Sequence, residues 1–321
     1  MHSCIRAFEV PWRVMTFRVA TFNLKDFFEA RTERERERVE AKLNGVAESL
    51  RRARADVVAL QEVGSEALLA RLVSTVPELG YASCVVGSED RRGIRNAILS
   101  RLPVTWSCVH EASSLSFPVF VVGDPEPFAG RIPLRRGVVH VRVAVPQLGD
   151  VDILTVHFKS NLPAPLRDGD GHVVPDPTPK GVGEAAVRSL VLRAAEALHV
   201  RSLVDAVWAE APERSVCVLG DLNDTVESLA VRLVRGIDPT SAQHLRPAAE
   251  FLPEERRFSC MHRGGRSLID HVLLSERLYA ALRHTEIHNE ALRDHGILEG
   301  EEGPTEDSDH ALCVAELGVP F

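Results

Sequence analysis

Eight polar side chains of this 321-residue chain stand at the ends of apolar runs or inside them. They are Asn23 in VATFNL, Glu62 in VVALQEV, His157 in ILTVHF, Asp221 and Asn223 in VCVLGDLND, Asp270 in SLIDHVLL, and Asp309 with His310 in SDHALCV. The set holds four carboxylates, two imidazoles and two carboxamides. Carboxylates offer the hard oxygen ligands that Mg²⁺ prefers, and one placed close to a water can hold it in line for attack. An imidazolium supported by a carboxylate supplies positive charge where negative charge develops. Carboxamides add hydrogen bonding without changing the charge. Cysteine is absent from the set, as suits an oxygen-liganded cation. Each residue alone has a plainer reading, since an Asn after a strand turns the chain and an Asp before one caps or turns it. Together they fall at sheet edges, where open α/β folds place their sites.

The elements that must position them are legible as periodicities. Residues 17–24 alternate and are rich in β-branched and aromatic side chains, which predicts a strand. Residues 30–54 carry Val39, Leu43, Val46 and Leu50 at helical spacing, with a solvated Arg/Glu face outside. Strands are predicted at 55–63, 81–86, 96–100, 104–110, 216–220, 267–275 and 311–317, and a hairpin at 137–146 and 151–158. Helices are predicted at 65–76, 184–209 and 225–236. Lys159 to Gly183, with five prolines and no apolar periodicity, reads as a long loop. Strands and helices mix throughout, which favours one α/β domain, and the hairpin argues against a purely parallel sheet.

Composition sets further bounds. The chain is 45% hydrophobic and 26% charged, ordinary for a globular protein. Its net charge of −8 gives no overall attraction to nucleic acid, although a local basic site or a metal still permits phosphate binding. The six cysteines are scattered with no CxxC pair, which suggests neither a zinc site nor a redox motif. Cys84, Cys217 and Cys313 read as small core residues. This suits a reducing compartment, the alternative being a secreted protein with one or two disulfides. No signal peptide and no stretch of about 18 apolar residues is seen, so no membrane span is expected and the location expected is cytoplasmic. Residues 1–14 read as an N-terminal extension, residues 15–321 as a single catalytic domain, and a monomer is favoured.

The ordered set TFN, LQEV, NAILSR, VHFKS, GDLND, IDHVL and SDHALC, from about residue 16 to 318, resembles the endonuclease/exonuclease/phosphatase superfamily. It is similar to the branch of pancreatic-type deoxyribonuclease and bacterial nucleases. The resemblance implies an α/β four-layer sandwich, two packed mixed β-sheets flanked by helices. It implies that Glu62 is a ligand of a catalytic Mg²⁺, with Asn23 and Asp309 beside it; Mn²⁺ is a candidate substitute and Ca²⁺ a further candidate. Asp221 would orient or deprotonate the attacking water, and Asn223 would donate to the substrate phosphate. His310 would contact the phosphate or transfer a proton, paired with Asp270, and His157 would be the second histidine. SEDRRG is similar to the segment giving that histidine a carboxylate partner, here Glu89. PLRRG is similar to the segment with a phosphate-binding arginine, here Arg136. The inventory suits phosphodiester hydrolysis, which needs charge neutralisation, an activated water and a stabilised leaving oxygen. Gly220 is expected to let the backbone come close to phosphate or metal.

Other candidates keep their alternatives. Lys159 shares a strand face with His157 and is either a phosphate contact or a solvated lysine. His271 alternates to the opposite face and reads as structural, Asp224 as a cap or turn residue, Asn161 as the loop start. His2, His110, His199, His262, His284, His288 and His295 have no supporting motif. For the substrate, a nuclease acting on DNA or RNA leads. The alternative is a phosphatase or phosphodiesterase on small molecules or lipid head groups, and a non-catalytic binding protein comes third. A membrane-acting enzyme should expose an apolar loop; the one candidate, SLSFPVFVV (114–122), is expected to be a buried strand instead. The 160–183 loop is expected to form a lid or a substrate wall. Asp168, Asp170 and Asp176 in it lack EF-hand spacing.

Overall fold

A computed structural model describes residues 15–128, 130–294 and 306–319. The N-terminal extension with His2, and also His295, lie outside the described residues. The first half runs β1 (Met15–Phe27), α1 (Glu33–Ala53), β2 (Val57–Val63), α2 (Glu66–Thr75), β3 (Ser83–Val86), β4 (Arg95–Ser100), β5 (Val104–His110), β6 (Val138–Val145) and β7 (Gly149–His157). It continues through β8 (Leu166–Arg167), β9 (Val173–Val174), α3 (Pro179–Glu210), β10 (Ser215–Asp221), α4 (Leu229–Arg235) and β11 (Arg246–Pro247). The last part holds β12 (Cys260–His262), β13 (Gly265–Ser267), β14 (Asp270–Leu274), α5 (Glu276–Ala281), β15 (Leu282–Ile287) and β16 (Cys313–Val319).

Two six-stranded mixed sheets form, in the orders β15-β16-β1-β2-β4-β3 and β11-β14-β10-β7-β6-β5. The pairs β1/β2 and β10/β7 are parallel, and the other ladders are antiparallel. The inner faces pack on each other through Val19, Val57, Ile98, Val141, Ile153 and Leu219. On the outer face of the first sheet lie Val39, Leu43, Val46 and Leu50 of α1 with the leucines of α2. On that of the second lie Val200, Val204 and Val207 of α3 with Val231 and Val234 of α4. Helix, sheet, sheet and helix are therefore the four layers, and the central strands read as apolar runs because both their faces are covered.

Several expectations are corrected here. Helix α3 begins at Pro179, with Thr178 Oγ1 accepting from Gly181 N at 3.1 Å, so the loop is shorter than expected and carries the small β8/β9 hairpin. Proline at a first helical position needs no amide donor, so Pro179 opens this helix. Helix α4 starts at Leu229, capped by Ser228, while Asp224 accepts from Thr225 N and pairs with Arg193 Nε at 3.2 Å. Residues 114–122 form no strand: Phe120 is 94% and Val122 99% exposed. Pro118 in their midst cannot donate to a ladder. Cys84 lies exposed on the edge strand β3 rather than in the core, whereas Cys217 and Cys313 are buried. None of the cysteines Cys84, Cys108, Cys217, Cys260 and Cys313 is in a disulfide. Among the described residues no helix is long and apolar enough to cross a membrane.

Candidate active site

Strand register brings the second sheet's contribution together. Asp221 ends β10 and is paired with His157 on β7 and with Asp270 on β14. Three side chains therefore stand side by side at one level of one face. The first sheet delivers Asn23 and Glu62 through an irregularity. Asn23 pairs with Gln61, after which the β1/β2 register slips. Lys25, Asp26 and Glu62 all adopt positive φ, 46°, 50° and 59°. Strict alternation would set Gln61 and Glu62 on opposite faces. With Glu62 in the left-handed region, both reach toward β7. Gln61 Nε2 donates to Thr155 Oγ1 at 3.0 Å, and Glu62 Oε1 lies 3.8 Å from His157 Nε2. The last contribution, Asp309-His310, is held ahead of β16 by Ser308. Its Oγ donates to Asn23 O at 2.7 Å and accepts from His310 N at 3.0 Å.

Asp221 is the hub of the cluster. Its Oδ2 accepts from Asn23 Nδ2 at 2.9 Å and from Asn223 Nδ2 at 3.0 Å, and its Oδ1 from Asn223 N at 2.8 Å. The same Oδ2 lies 3.5 Å from His157 Nε2 and 4.0 Å from His310 Nε2. His310 Nδ1 meets Asp270 Oδ2 at 2.8 Å. Asp270 Oδ2 is in turn held by Ser259 Oγ at 2.7 Å, and Ser259 Oγ also accepts from Ile269 N and Asp270 N. Burial and then the charge of Asp270 push Asp221 up to about 7, against the opposing pull of His310 and two hydrogen bonds. Burial alone would lower the His310 pKa, but the carboxylates of Asp270 and Asp221 raise it well above the ordinary imidazole value. His157 goes the other way, lowered by burial and by the neighbouring Arg136. One histidine is thus held charged and the other neutral.

The remaining predicted residues divide. Glu62 Oε2 accepts from Asp26 N at 2.8 Å, and Lys25 Nζ pairs with Asp309 Oδ2 at 2.5 Å. Beneath them the buried Lys42, which donates to Lys25 O, feels the charges of Asp26, Asp309 and Glu62, and burial lowers its pKa to about 8. Asn23 Oδ1 accepts from Lys25 N at 2.9 Å, so Asn23 chiefly orients Asp221. Glu89 is a correction: it is exposed and pairs with Arg95, while its buried neighbour Asp90 pairs with Arg136 Nη2 at 3.1 Å. No carboxylate holds His157 Nδ1, which is buried without a hydrogen-bond partner among the described residues. Arg136 is buried, and its Nη1 donates to His157 O and Phe158 O at 3.1 and 3.4 Å, bracing the end of β7 from inside. Lys159 is also corrected. Its Nζ donates to Ser160 O, Ser160 Oγ and Leu162 O, which occupies all three donors away from the cluster.

Gly220 has φ +144°, and a Cβ there would meet Val156 O at 2.0 Å. The glycine serves close packing of β10 on β7, not an approach by phosphate or metal. His271 Nε2 is bonded to Asp224 O at 2.9 Å on the opposite face of β14. Asn161 Nδ2 donates to Asn223 O at 2.7 Å. Ser259, Ser308, Gln61 and Lys25 were not singled out from the sequence. Lys25 carried the one available signal, a cation two residues after Asn23.

A sandwich of two mixed sheets, with carboxylates and histidines converging at their edge, defines a hydrolase architecture. A family model described as the endonuclease/exonuclease/phosphatase family matches residues 20–310, and the chain belongs to that family of phosphoester hydrolases. Solved structures share the fold at low identity. Truncated Caenorhabditis elegans TDP2 is 15% identical, with a TM-score of 0.57, covering 94% of this chain and 97% of that one. An endonuclease/exonuclease/phosphatase from Beutenbergia cavernae is 19% identical, with a TM-score of 0.55 over 95% and 72%. The 3'-5' exonuclease NExo from Neisseria meningitidis is 16% identical, with a TM-score of 0.55 over 94% and 100%. No curated protein sequence matches the chain.

Proposed function

We propose that the chain is a Mg²⁺-dependent nuclease that cleaves phosphodiesters by attack of an activated water. The observation that carries this reading is the Asp221 hub: a carboxylate with a pKa of about 7 between a neutral His157 and a cationic His310. A base is most effective when its pKa lies near the working pH. Asp221, oriented by Asn23 and Asn223, takes the proton of the attacking water. His310, held by Asp270, places positive charge at the phosphoryl oxygens as negative charge grows there. Asn223 Nδ2, which donates to Asp221 Oδ2 and Phe158 O, holds the base in place, and the neutral His157 is placed to share a hydrogen bond with the substrate.

The residues fit a hard divalent cation. Ligand atoms of Asp221, Asp270 and His310 lie within 4.8 Å of one another, and Glu62 Oε1 and Asp309 Oδ1 border them at 3.8 and 3.9 Å from the two imidazoles. Burial and then the charge of Asp270 raise Asp221, and a dication at the bordering carboxylates would offset that cost. Glu62 and Asp309 would hold Mg²⁺, with Asn23 beside them. The ion would supply Lewis-acid polarisation of the phosphoryl group and stabilisation of the leaving oxygen.

Cleavage of DNA gains support from a fold neighbour, NExo, which is described as a 3'-5' exonuclease and, bound to a product DNA hairpin, as a 3' phosphatase. A second reading, action on lipid head-group phosphoesters, is favoured by the exposed apolar stretch Val119–Val122. The test is incubation of purified protein with Mg²⁺ and either plasmid or single-stranded DNA. Wild type should cut; EDTA should stop it; Mg²⁺ should restore it; Asp221→Ala should lower the rate at least about 10³-fold. Intact nucleic acid with wild type, alongside release of free phosphate or cleaved head groups from phosphoesters, decides for the second reading.

A further inference from the structure

A cavity of about 810 Å³ opens at Lys159, two residues past His157, walled by the start of α3, the turn after β7 and the segment that enters β6. It touches the site's own supports: Lys159 follows β7, Arg135 precedes Arg136, and Asp90 is the partner of Arg136. The Arg135 charge is among those that keep His157 neutral. The floor is apolar, made by Ile132, Leu134, Val187, Val191 and Leu192, with Phe128 at one side. The rim is basic. Arg167 and Arg188 are tied to Gly171 O and Ala164 O. Arg91, Arg131 and Arg135 line the same cavity, and their guanidinium groups have no hydrogen-bond or ion-pair partner among the described residues.

That combination is unusual for this molecule, whose net charge is −8. Elsewhere its arginines are commonly neutralised by neighbouring glutamates and aspartates, as along α1. Here three guanidinium groups face one opening, and the two carboxylates in its wall are already engaged: Glu89 with Arg95, Asp90 with Arg136. Guanidinium groups bind phosphate in bidentate fashion and stack on the faces of bases. Sites that bind single strands pair such a cationic track with flat apolar surface for the bases. The volume lies within the range of about 300–1,000 Å³ typical of pockets for small organic groups.

We propose that this cavity is a subsite for a nucleotide flanking the scissile bond. Its base and sugar lie on the Ile132/Val191/Leu192 floor, and the adjoining non-scissile phosphates sit against Arg91, Arg131 and Arg135. The inference rests on the nuclease reading above and adds to it a substrate form. A base held in a Watson–Crick pair cannot reach the floor, so the strand that enters is single or frayed.

The test separates this subsite from the chemistry. Binding of a fluorescein-labelled hexathymidylate to the full chain is followed by fluorescence anisotropy in EDTA, where no cleavage intervenes. The triple variant Arg91→Gln, Arg131→Gln, Arg135→Gln should weaken binding at least tenfold. It should also lower the slope of log K against log salt by about 2, as expected for three lost phosphate contacts on a single strand. The double variant R91Q/R131Q, at two exposed positions away from the core, should show about two-thirds of that slope change. With Mg²⁺, the fall in kcat/KM on the hexanucleotide should exceed the fall on bis(p-nitrophenyl) phosphate, which has no flanking nucleotide, by at least tenfold. Unchanged binding and slope, or equal losses on both substrates, overturn the subsite while leaving a phosphoesterase in place. Loss of binding to phosphatidylglycerol vesicles, but not to the oligonucleotide, overturns it in favour of a lipid. Tight, arginine-dependent binding of an oligonucleotide that is never cut supports the subsite and overturns only the nuclease reading.

Discussion

Replacing Gly220 by alanine separates two roles that the glycine next to Asp221 could have. Its φ of +144° is open to glycine alone, and an added Cβ would stand 2.0 Å from Val156 O and 3.0 Å from the Val156 C and N atoms. All three are backbone atoms of the paired strand β7 in the middle of its sheet, so no side chain can rotate aside. Backbone strain of about 1–3 kcal/mol and overpacking of about 1–3 kcal/mol give roughly 4 kcal/mol of destabilisation. At about 1.5 °C per kcal/mol for a chain of this size, Tm should fall by roughly 6 °C. Thermal melting by circular dichroism in EDTA measures it. Gly183→Ala is the internal control: Gly183 lies in α3 with nothing within 4 Å of its would-be Cβ. That substitution should raise stability by about 0.5–1 kcal/mol through helix propensity. A Gly220→Ala protein that melts within 2 °C of wild type but no longer hydrolyses its substrate would refute the packing argument and return the glycine to a ligand-approach role.

Ser259→Ala removes the hydroxyl donor to Asp270 Oδ2 and strands the amides of Ile269 and Asp270, so it should cost about 3 kcal/mol, read as a lower urea midpoint. Asp270→Asn takes away the carboxylate that keeps His310 charged; kcat should drop about 10²–10⁴-fold with little change in KM, and an unaltered kcat would remove His310 from the reaction. Burial lowers Lys42 from 10.5 to about 8, so between those values the unfolded chain binds a proton that the folded chain does not. Stability should therefore rise with pH across that window, by roughly 3 kcal/mol in all, and urea melts of Lys42→Met should lack that rise.

The strand ends that carry the candidate site were legible because β7, β10 and β14 are buried on both faces. A polar residue closing such a run, as at His157, Asp221 or Asp270, has no structural excuse that repeats across the chain. The supporting hydroxyls were not legible: Ser259 and Ser308 sit in short polar connections where serine is ordinary, and only the tertiary fold sets them on Asp270 and Asn23. Glu89 and Asp90 are adjacent carboxylates in a connection without periodicity, so nothing local says which one turns inward to Arg136. The exposed apolar residues Val119–Val122 misled in the opposite sense, because β-branched content imitates a strand even where Pro118 breaks the ladder. Gln61 was visible only as part of LQEV, and it bridges to Thr155 from the inner face it shares with Val57 and Ala59; Glu62 is the residue that needs the left-handed backbone, which no propensity scale assigns to glutamate.

The hub at Asp221 also places function late in time. The bond from Asn23 to Asp221 joins residues 198 apart in sequence, and that from Ser308 to Asn23 joins residues 285 apart. Each spans from one sheet to the other or from one end of a sheet to its far return, and contacts of such separation form only after long loops have closed. The helices and the ladders between strands near in sequence can form first, since α1 and α2 serve one sheet and α3 and α4 the other, whereas the β1/β16 ladder, which pairs Thr16 with Gly318, needs the same long closure as the site. Neither half, however well formed, owns the whole of the proposed acid–base set. In refolding, hydrolysis is then the clock of the docking step, and its recovery should lag behind the return of secondary structure.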